Sequence, residues 1–256
     1  MNNKLFLASV ISIFLLSTIF IWYYSEKEDI LASNNTILTI GTNADYPPFS
    51  FIKDGKIAGF DIDVAKEAAR RIEKKVALKD MPFDALIIEA QQGTIDIIAA
   101  GMTSTPERTK KLLFTTPHIS GDPLIIISLP KDSPVKSVEQ LKGKTVVVNE
   151  GFVADTYISG IEGIKTLKLP TVAEGFLALQ SRQADAFVTA RNSAQLFFEK
   201  YGKDGFNILP IEGTSDSYSL AIPLEKKELF DAIQKALYAM AQDGTLEKLK
   251  QKWKLL

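Results

Sequence analysis

A helix, a tight turn and a buried strand occur in the same order in both halves of this chain, and that recurrence restricts the fold more than any other feature. In the first half FDALIIEAQQ carries helical spacing, Gly93-Thr94 makes the turn, and IDIIAAG from Ile95 to Gly101 reads as a buried strand. In the second half GFLALQSRQ is followed by ADAFVTA, with Asp185 standing where Asp96 stood. Strands flanked by helices point to open α/β sheets, and a similar unit in each half points to two lobes of related build. With 256 residues, 46% of them hydrophobic, the chain can fill two cores.

The surrounding segments fit that plan. ILTIGT (Ile37 to Thr42) reads as a buried strand, and FSFIKDGKIAGF reads as a hairpin turning at Asp54-Gly55. From Asp61, an N-cap candidate, DIDVAKEAARRIEKK places Val64, Ala65, Ala68, Ala69 and Ile72 on one helical face. PLIIISLP and the run from Lys144 to Val148 read as buried strands. The C-terminal ELFDAIQKALYAMAQDGTLEKLKQKW is amphipathic, with Leu229, Ile233, Leu237 and Met240 in register before a break at Asp243-Gly244.

The N-terminus carries a different signal. After Lys4, LFLASVISIFLLSTIFIWYY from Leu5 to Tyr24 contains no charge, and a bilayer takes roughly 20 apolar residues to cross. The acidic SEKEDI after it keeps the basic end in the cytoplasm and sends the rest across. The segment reads as an uncleaved anchor or as an export signal, with Ala32 the nearest cleavage candidate. A polar, Asn/Ser-rich tether then reaches the folded part, so the first unit is residues 1–35.

Several function classes drop out. Thirty Lys plus Arg against 31 Asp plus Glu leave a net charge of -1, with no basic field for nucleic acid. The absence of cysteine removes disulfides, thiolate catalysis and cysteine metal sites, and one histidine, His118, builds neither a His-based triad nor a multi-histidine metal cluster. No phosphate-cradling glycine motif is present, so no cofactor or metal is expected, and no catalytic residue is assigned.

One loop is aimed at an anion. In TSTPERTK, Thr105 suits an N-cap and Pro106 the first helical position, which puts Arg108 in a first turn where the macrodipole disfavours a cation. Thr103 and Ser104 hydroxyls, free amides and a planar two-pronged guanidinium together suit a carboxylate. The alternative is an ordinary surface pairing of Arg108 with a nearby acid. Tyr46, Phe49 and Phe83 lie in loops at strand ends, where open α/β sheets hold ligands, as do Asn43, Asp45 and Glu150.

These residues converge on a known family. GFDIDVAKEAARRI resembles the signature of the polar amino-acid-binding proteins of ABC importers, the family 3 solute-binding proteins. The resemblance continues through IGTNADYPPFSF, FDALI, the T-x-x-Arg loop before FTTP, SVEQLKGKTVVV and AQDGTLEKLKQKW, and it extends to the arginine-binding members of chlamydia-like bacteria. It implies an α/β, two-lobed clamp of the type II periplasmic-binding-protein kind with a discontinuous lobe 1. Lobe 1 would comprise residues 36–119 and 215–256, and lobe 2 residues 120–214. It further implies that Arg108 grips a ligand α-carboxylate with help from Gly101 and Thr103, that Tyr46 and Phe83 pack on the ligand side chain, and that Asn43 makes a polar contact.

Two positions depart from the family pattern. The aspartate that receives the ligand α-ammonium is replaced by Ala190 in DAFVTARNS, and the glycine-hydroxyl-hydroxyl loop reads GFVA, with Phe152 and Val153. A buried ammonium without a charge partner is costly, so Glu150 and Asp45 are the expected substitutes, or the ligand is a carboxylate without an α-amino group. The expected function is an extracytoplasmic receptor, periplasmic or tethered by residues 5–24. It would act as a monomer that hands an amino acid, basic by the subfamily likeness, to an ABC permease. The alternative from another class is a cyclohexadienyl-dehydratase-like enzyme on the same fold, with Glu150 as its acid or base.

Overall fold

A computed structural model of the chain describes residues 37–130 and 134–255. The apolar segment from Leu5 to Tyr24 and the tether lie outside the described residues. Among the described residues no helix is long and apolar enough to cross a membrane.

The first stretch forms β1 (Ile37–Thr42), β2 (Asp45–Tyr46), β3 (Ser50–Lys53), β4 (Lys56–Ala58), α1 (Phe60–Arg71), β5 (Lys75–Asp80), α2 (Leu86–Gln91), β6 (Ile97–Ile98) and β7 (Leu112–Phe114). After β8 (Ile119–Asp122) come β9 (Leu124–Ser128), β10 (Thr145–Asn149), α3 (Val153–Ser159), β11 (Lys165–Leu169), α4 (Val172–Gln180), β12 (Ala186–Ala190), α5 (Arg191–Tyr201) and β13 (Asn207–Pro210). Then β14 (Asp216–Tyr218) leads to β15 (Ala221–Pro223), α6 (Lys227–Gln242) and α7 (Thr245–Lys252).

Two five-stranded sheets result, ordered β5-β1-β6-β15-β7 and β11-β10-β12-β9-β13. In each, three parallel strands come first, and the fourth runs antiparallel to its neighbour in the triplet. The fourth strand of the first sheet, β15, comes from the C-terminal part of the chain, so the first lobe is discontinuous and the clamp is the type II arrangement expected from sequence. The chain passes between lobes twice, along β8 and β14, which pair antiparallel with Asp216 opposite Asp122 and a register shift beside Asp216.

The recurring aspartate explains why the two halves fold alike. Asp96 N–H donates to the Thr39 carbonyl at 2.7 Å, and its Oδ2 accepts from the Thr39 amide at 2.6 Å. Asp185 repeats both bonds with Thr145, at 2.8 Å each. A two-way clasp at the entry to the third parallel strand fixes its register against the first strand of each sheet. The strand itself is shorter than IDIIAAG suggests. β6 keeps only Ile97–Ile98, because β15 meets it at a single pair, Ala221 with Ile98, and the chain then turns away through Gly101.

Local patterns account for most other elements. The hairpin β3–β4 turns at Asp54 (φ 52) and Gly55 (φ 74), left-handed values that Asp-Gly accommodates. Helix α1 buries Val64, Ala65, Ala68 and Ala69 completely, and α6 buries Ile233, Leu237 and Met240 before Gly244, at φ 77, separates it from α7. The C-terminus is bound to the first lobe through Asp63, which accepts from Lys252 Nζ and Trp253 Nε1 at 2.7 Å. FDALIIEAQQ is divided into a 3-10 turn, Phe83–Ala85, and α2.

Asp61 is not the N-cap; Gly59 holds that position, and Asp61 lies in the first turn, fully buried. Its Oδ2 accepts the Gly101 amide at 2.6 Å, and its Oδ1 lies 2.9 Å from His118 Nε2. His118 is therefore a structural residue, 4% exposed, at the entrance to β8. Breaking a buried pair by removing one partner costs about 3–5 kcal/mol. Asp61→Ala is expected to lower unfolding stability by about that amount, seen as a drop in the urea midpoint; an unchanged midpoint would dismiss the pair as a support.

Candidate ligand-binding cleft

The loop that follows β6 is built as the sequence suggested, on a smaller scale. Arg108 N–H donates to Thr105 Oγ1 at 3.3 Å and Thr109 N–H to the Thr105 carbonyl at 2.9 Å, so Thr105 caps a turn that begins at Pro106. Only one 3-10 turn follows, Arg108–Lys110, and a helix this short has little macrodipole. Ser104 is exposed and takes no part. The loop's asset is the guanidinium itself.

Arg108 joins the two lobes. Its Nη1 donates to the Thr103 carbonyl at 2.8 Å and its Nη2 to the Gly151 carbonyl at 2.7 Å, and its Cζ lies 5.3 Å from the centre of the Phe83 ring. Partial burial lowers its pKa, opposed by the charges of Asp216 and Glu107. No carboxylate forms a salt bridge with it among the described residues, which removes the plain surface-pair alternative.

Aromatic rings form the wall beside it. Phe152, at the start of the second lobe's GFVA loop, stacks on Phe83 at 4.2 Å and 20° and lies 4.9 Å from the Tyr46 ring. Tyr46 is buried, with its hydroxyl 3.1 Å from that of Tyr218. Gly101 adopts φ +60, and a Cβ there would lie 2.6 Å from the Tyr46 ring, so no side chain fits between them. Phe152 thus fills the space between Tyr46 and Phe83. Val153 lines a neighbouring cavity of about 540 Å³ together with Phe83 and Arg108.

On the other side of Phe83 lies a cavity of about 310 Å³. It brings together four carboxylates, Asp45, Asp80, Asp84 and Glu150, with Asn43, and no cationic residue. Burial raises the Asp45 pKa, reinforced by the charges of Asp80 and Glu174 and opposed by Asn43. Asn43 is buried, its Oδ1 without a hydrogen-bond partner. Asp45 and Glu150, proposed from sequence as replacements at the ammonium position, thus border an acidic recess, while Ala190 is buried at the end of β12.

Sequence reasoning missed Asp80, Asp84, Asp122, Asp216 and Tyr218. Asp80 ends a parallel strand, the place where such sheets gather ligand contacts, and was the one with a readable signal. Asp216 is buried, and its pKa is pushed up to about 7 by burial and by the charge of Asp122, against the Thr103 hydroxyl and Arg108. Burial likewise raises Asp122, opposed by Tyr218, Asn192 and Arg191.

The profile of the bacterial extracellular solute-binding proteins, family 3, matches residues 38–255. The arginine-binding extracellular protein ArtP of Bacillus subtilis is 32% identical over 220 residues, 84% of this chain and 85% of that protein. The probable ABC transporter arginine-binding protein ArtJ of Chlamydia trachomatis is 26% identical over 228 residues, 87% and 88% of the two chains. An ancestral arginine-binding protein solved with arginine bound superposes with a TM-score of 0.80 at 36% identity, over 85% of this chain and 97% of that one.

The raised pKa of Asp216 has a sign. The folded state holds its proton more tightly than the unfolded chain, so between about pH 4 and 7 this group makes stability fall as pH rises, by at most about 1.4 kcal/mol per pH unit. Asp216→Asn is expected to flatten that part of the stability curve and to exceed the parent protein in stability at pH 7.5. Urea unfolding at pH 4 to 8 checks this, and parallel curves for the two proteins would contradict it.

Proposed function

The chain belongs to the bacterial extracellular solute-binding proteins, family 3, and from that premise we propose that it captures an amino acid with a cationic side chain, such as arginine, and delivers it to an ABC permease. The observation that carries the ligand class is the recess of Asp45, Asp80, Asp84 and Glu150, four carboxylates with no cation among them. A guanidinium or ammonium placed there offsets their mutual repulsion. Arg108, beyond the Phe83 ring, has the planar donor geometry for the carboxylate at the other end of the ligand. The two ends carry opposite charge, so the cleft suits a ligand of matching polarity.

In this reading lobe 1 comprises residues 36–119 and 215–256 and lobe 2 residues 120–214, with Tyr46, Gly101, Thr103 and Arg108 on one wall and Phe152 and Val153 on the other. Phe152 has to leave the Phe83 stack, or share it, when the ligand's aliphatic stem enters. The folded part works outside the cytoplasm as a monomer, either released after export or held at the membrane by residues 5–24. The dehydratase alternative is weaker because Glu150 is exposed at the rim rather than enclosed. Turnover of a cyclic carboxylic acid, lost in Glu150→Gln, would restore it.

Thermal unfolding of the purified full-length protein with a panel of amino acids tests the reading. A ligand at about 100 times its Kd adds about 2.7 kcal/mol, so arginine, lysine or ornithine is expected to raise Tm by several degrees while glutamate leaves it unchanged. Because the recess is open, the gain is expected to shrink at high salt. Arg108→Ala should remove the shift while retaining the fold. If no amino acid raises Tm, the receptor reading fails.

A further inference from the structure

The carboxylate missing at residue 190 has a replacement one strand away. An aspartate in an N-cap position sets its carboxylate over the N2 or N3 amide of the helix it starts. Here the N-cap of α5 is Ala190, which offers a methyl group and no side-chain cap. The N2 amide, that of Asn192, donates instead to Asp122 Oδ1 at 3.1 Å. Asp122 ends β8, just before β9, whose Leu124 is the register partner of Ala190. The carboxylate therefore reaches the helix start from the first of the two interlobe crossings.

Its contacts lead to the residues of the cleft. Asp122 Oδ2 accepts from the Tyr218 hydroxyl at 2.9 Å, and that hydroxyl meets the Tyr46 hydroxyl at 3.1 Å. The ring of Tyr46 packs on Phe152, and Thr103, whose carbonyl holds Arg108, is bridged to Tyr218. Asp122 is thus linked by short contacts to both the guanidinium and the aromatic wall.

The charge balance points the same way. Asp122 and Asp216 are opposite one another on β8 and β14, 2% and 6% exposed, and neither forms a salt bridge among the described residues. Arg191 and Arg108 act on them only from a distance. Two buried acids without a paired cation are costly, and an ammonium group beside them offsets that cost. An aspartate stranded merely as a helix cap needs neither a tyrosine relay toward the cleft nor a second acid facing it.

Resting on the receptor reading above, we propose that Asp122 receives the ligand's α-ammonium in place of the absent side chain at residue 190. The amino group then lies between the hinge strands and the start of α5, with the carboxylate on Arg108. Ligand recognition is thereby moved from a lobe 2 strand end to the hinge itself.

Calorimetric titration of the full-length protein with L-arginine and with 5-guanidinopentanoate, which lacks only the α-amino group, tests this. Asp122→Asn keeps an acceptor for the Asn192 amide and turns its Nδ2 donor to the Tyr218 hydroxyl, whose oxygen can accept, so the fold is expected to survive, which circular dichroism checks. Arginine affinity is expected to fall by at least about 30-fold, the loss that follows removal of one partner of a buried charge pair, while 5-guanidinopentanoate binds as before. Adding Ala190→Asp to Asp122→Asn should recover arginine binding. Equal losses for both ligands would mark Asp122 as a helix cap alone, and undiminished arginine binding would also overturn the proposal. A parent protein that binds no amino acid would instead remove the receptor reading, and this one with it.

Discussion

Everything in the cleft hangs on the buried carboxylate of Asp61. One oxygen holds the Gly101 amide where the chain leaves β6, and the other meets His118 where the chain enters β8. Those are the starts of the Arg108 loop and of the first interlobe crossing. A single side chain on α1 therefore sets the position of the guanidinium relative to the hinge. The cost of burying a carboxylate is offset because both of its oxygens are bonded, and because Gly101 permits the left-handed turn that presents its amide.

The two lobes share a second device. Asp96 and Asp185 each clasp the first strand of their sheet through a backbone and a side-chain bond, and each does so at the point where a helix and turn deliver the third strand. Loop closure is expensive for parallel strands, which need a long crossover. A local carboxylate that fixes register as the crossover ends lowers the number of pairings available to it. The first lobe adds Lys226, which pairs with Asp96 from the C-terminal segment.

What could be read from the sequence was what depends on near neighbours. The helical face of α1, the Asp54-Gly55 hairpin, the break at Gly244 and the capped turn before Arg108 all follow from residues within a few positions of one another. The aspartate repeat was legible because its two copies lie in matching local frames. The length of β6 was not, since it is decided by how far β15 reaches, more than a hundred residues later. Asp61 carries the signature of a helix start, and nothing local shows that it is buried against His118. Asp122 and Asp216 look like ordinary loop acids until β8 and β14 are paired. Phe152 showed only as a departure from the family's glycine-hydroxyl-hydroxyl loop; its stacking on Phe83 depends on the other lobe being there.

The two carbonyls on Arg108 belong to different lobes, Thr103 on one side and Gly151 on the other. On the proposed reading, an arriving carboxylate does not find an idle guanidinium; it joins one that already bridges the lobes through two of its five N–H groups. The peptide oxygens then do for the ligand what a rigid frame does, fixing the plane of the cation before the ligand arrives.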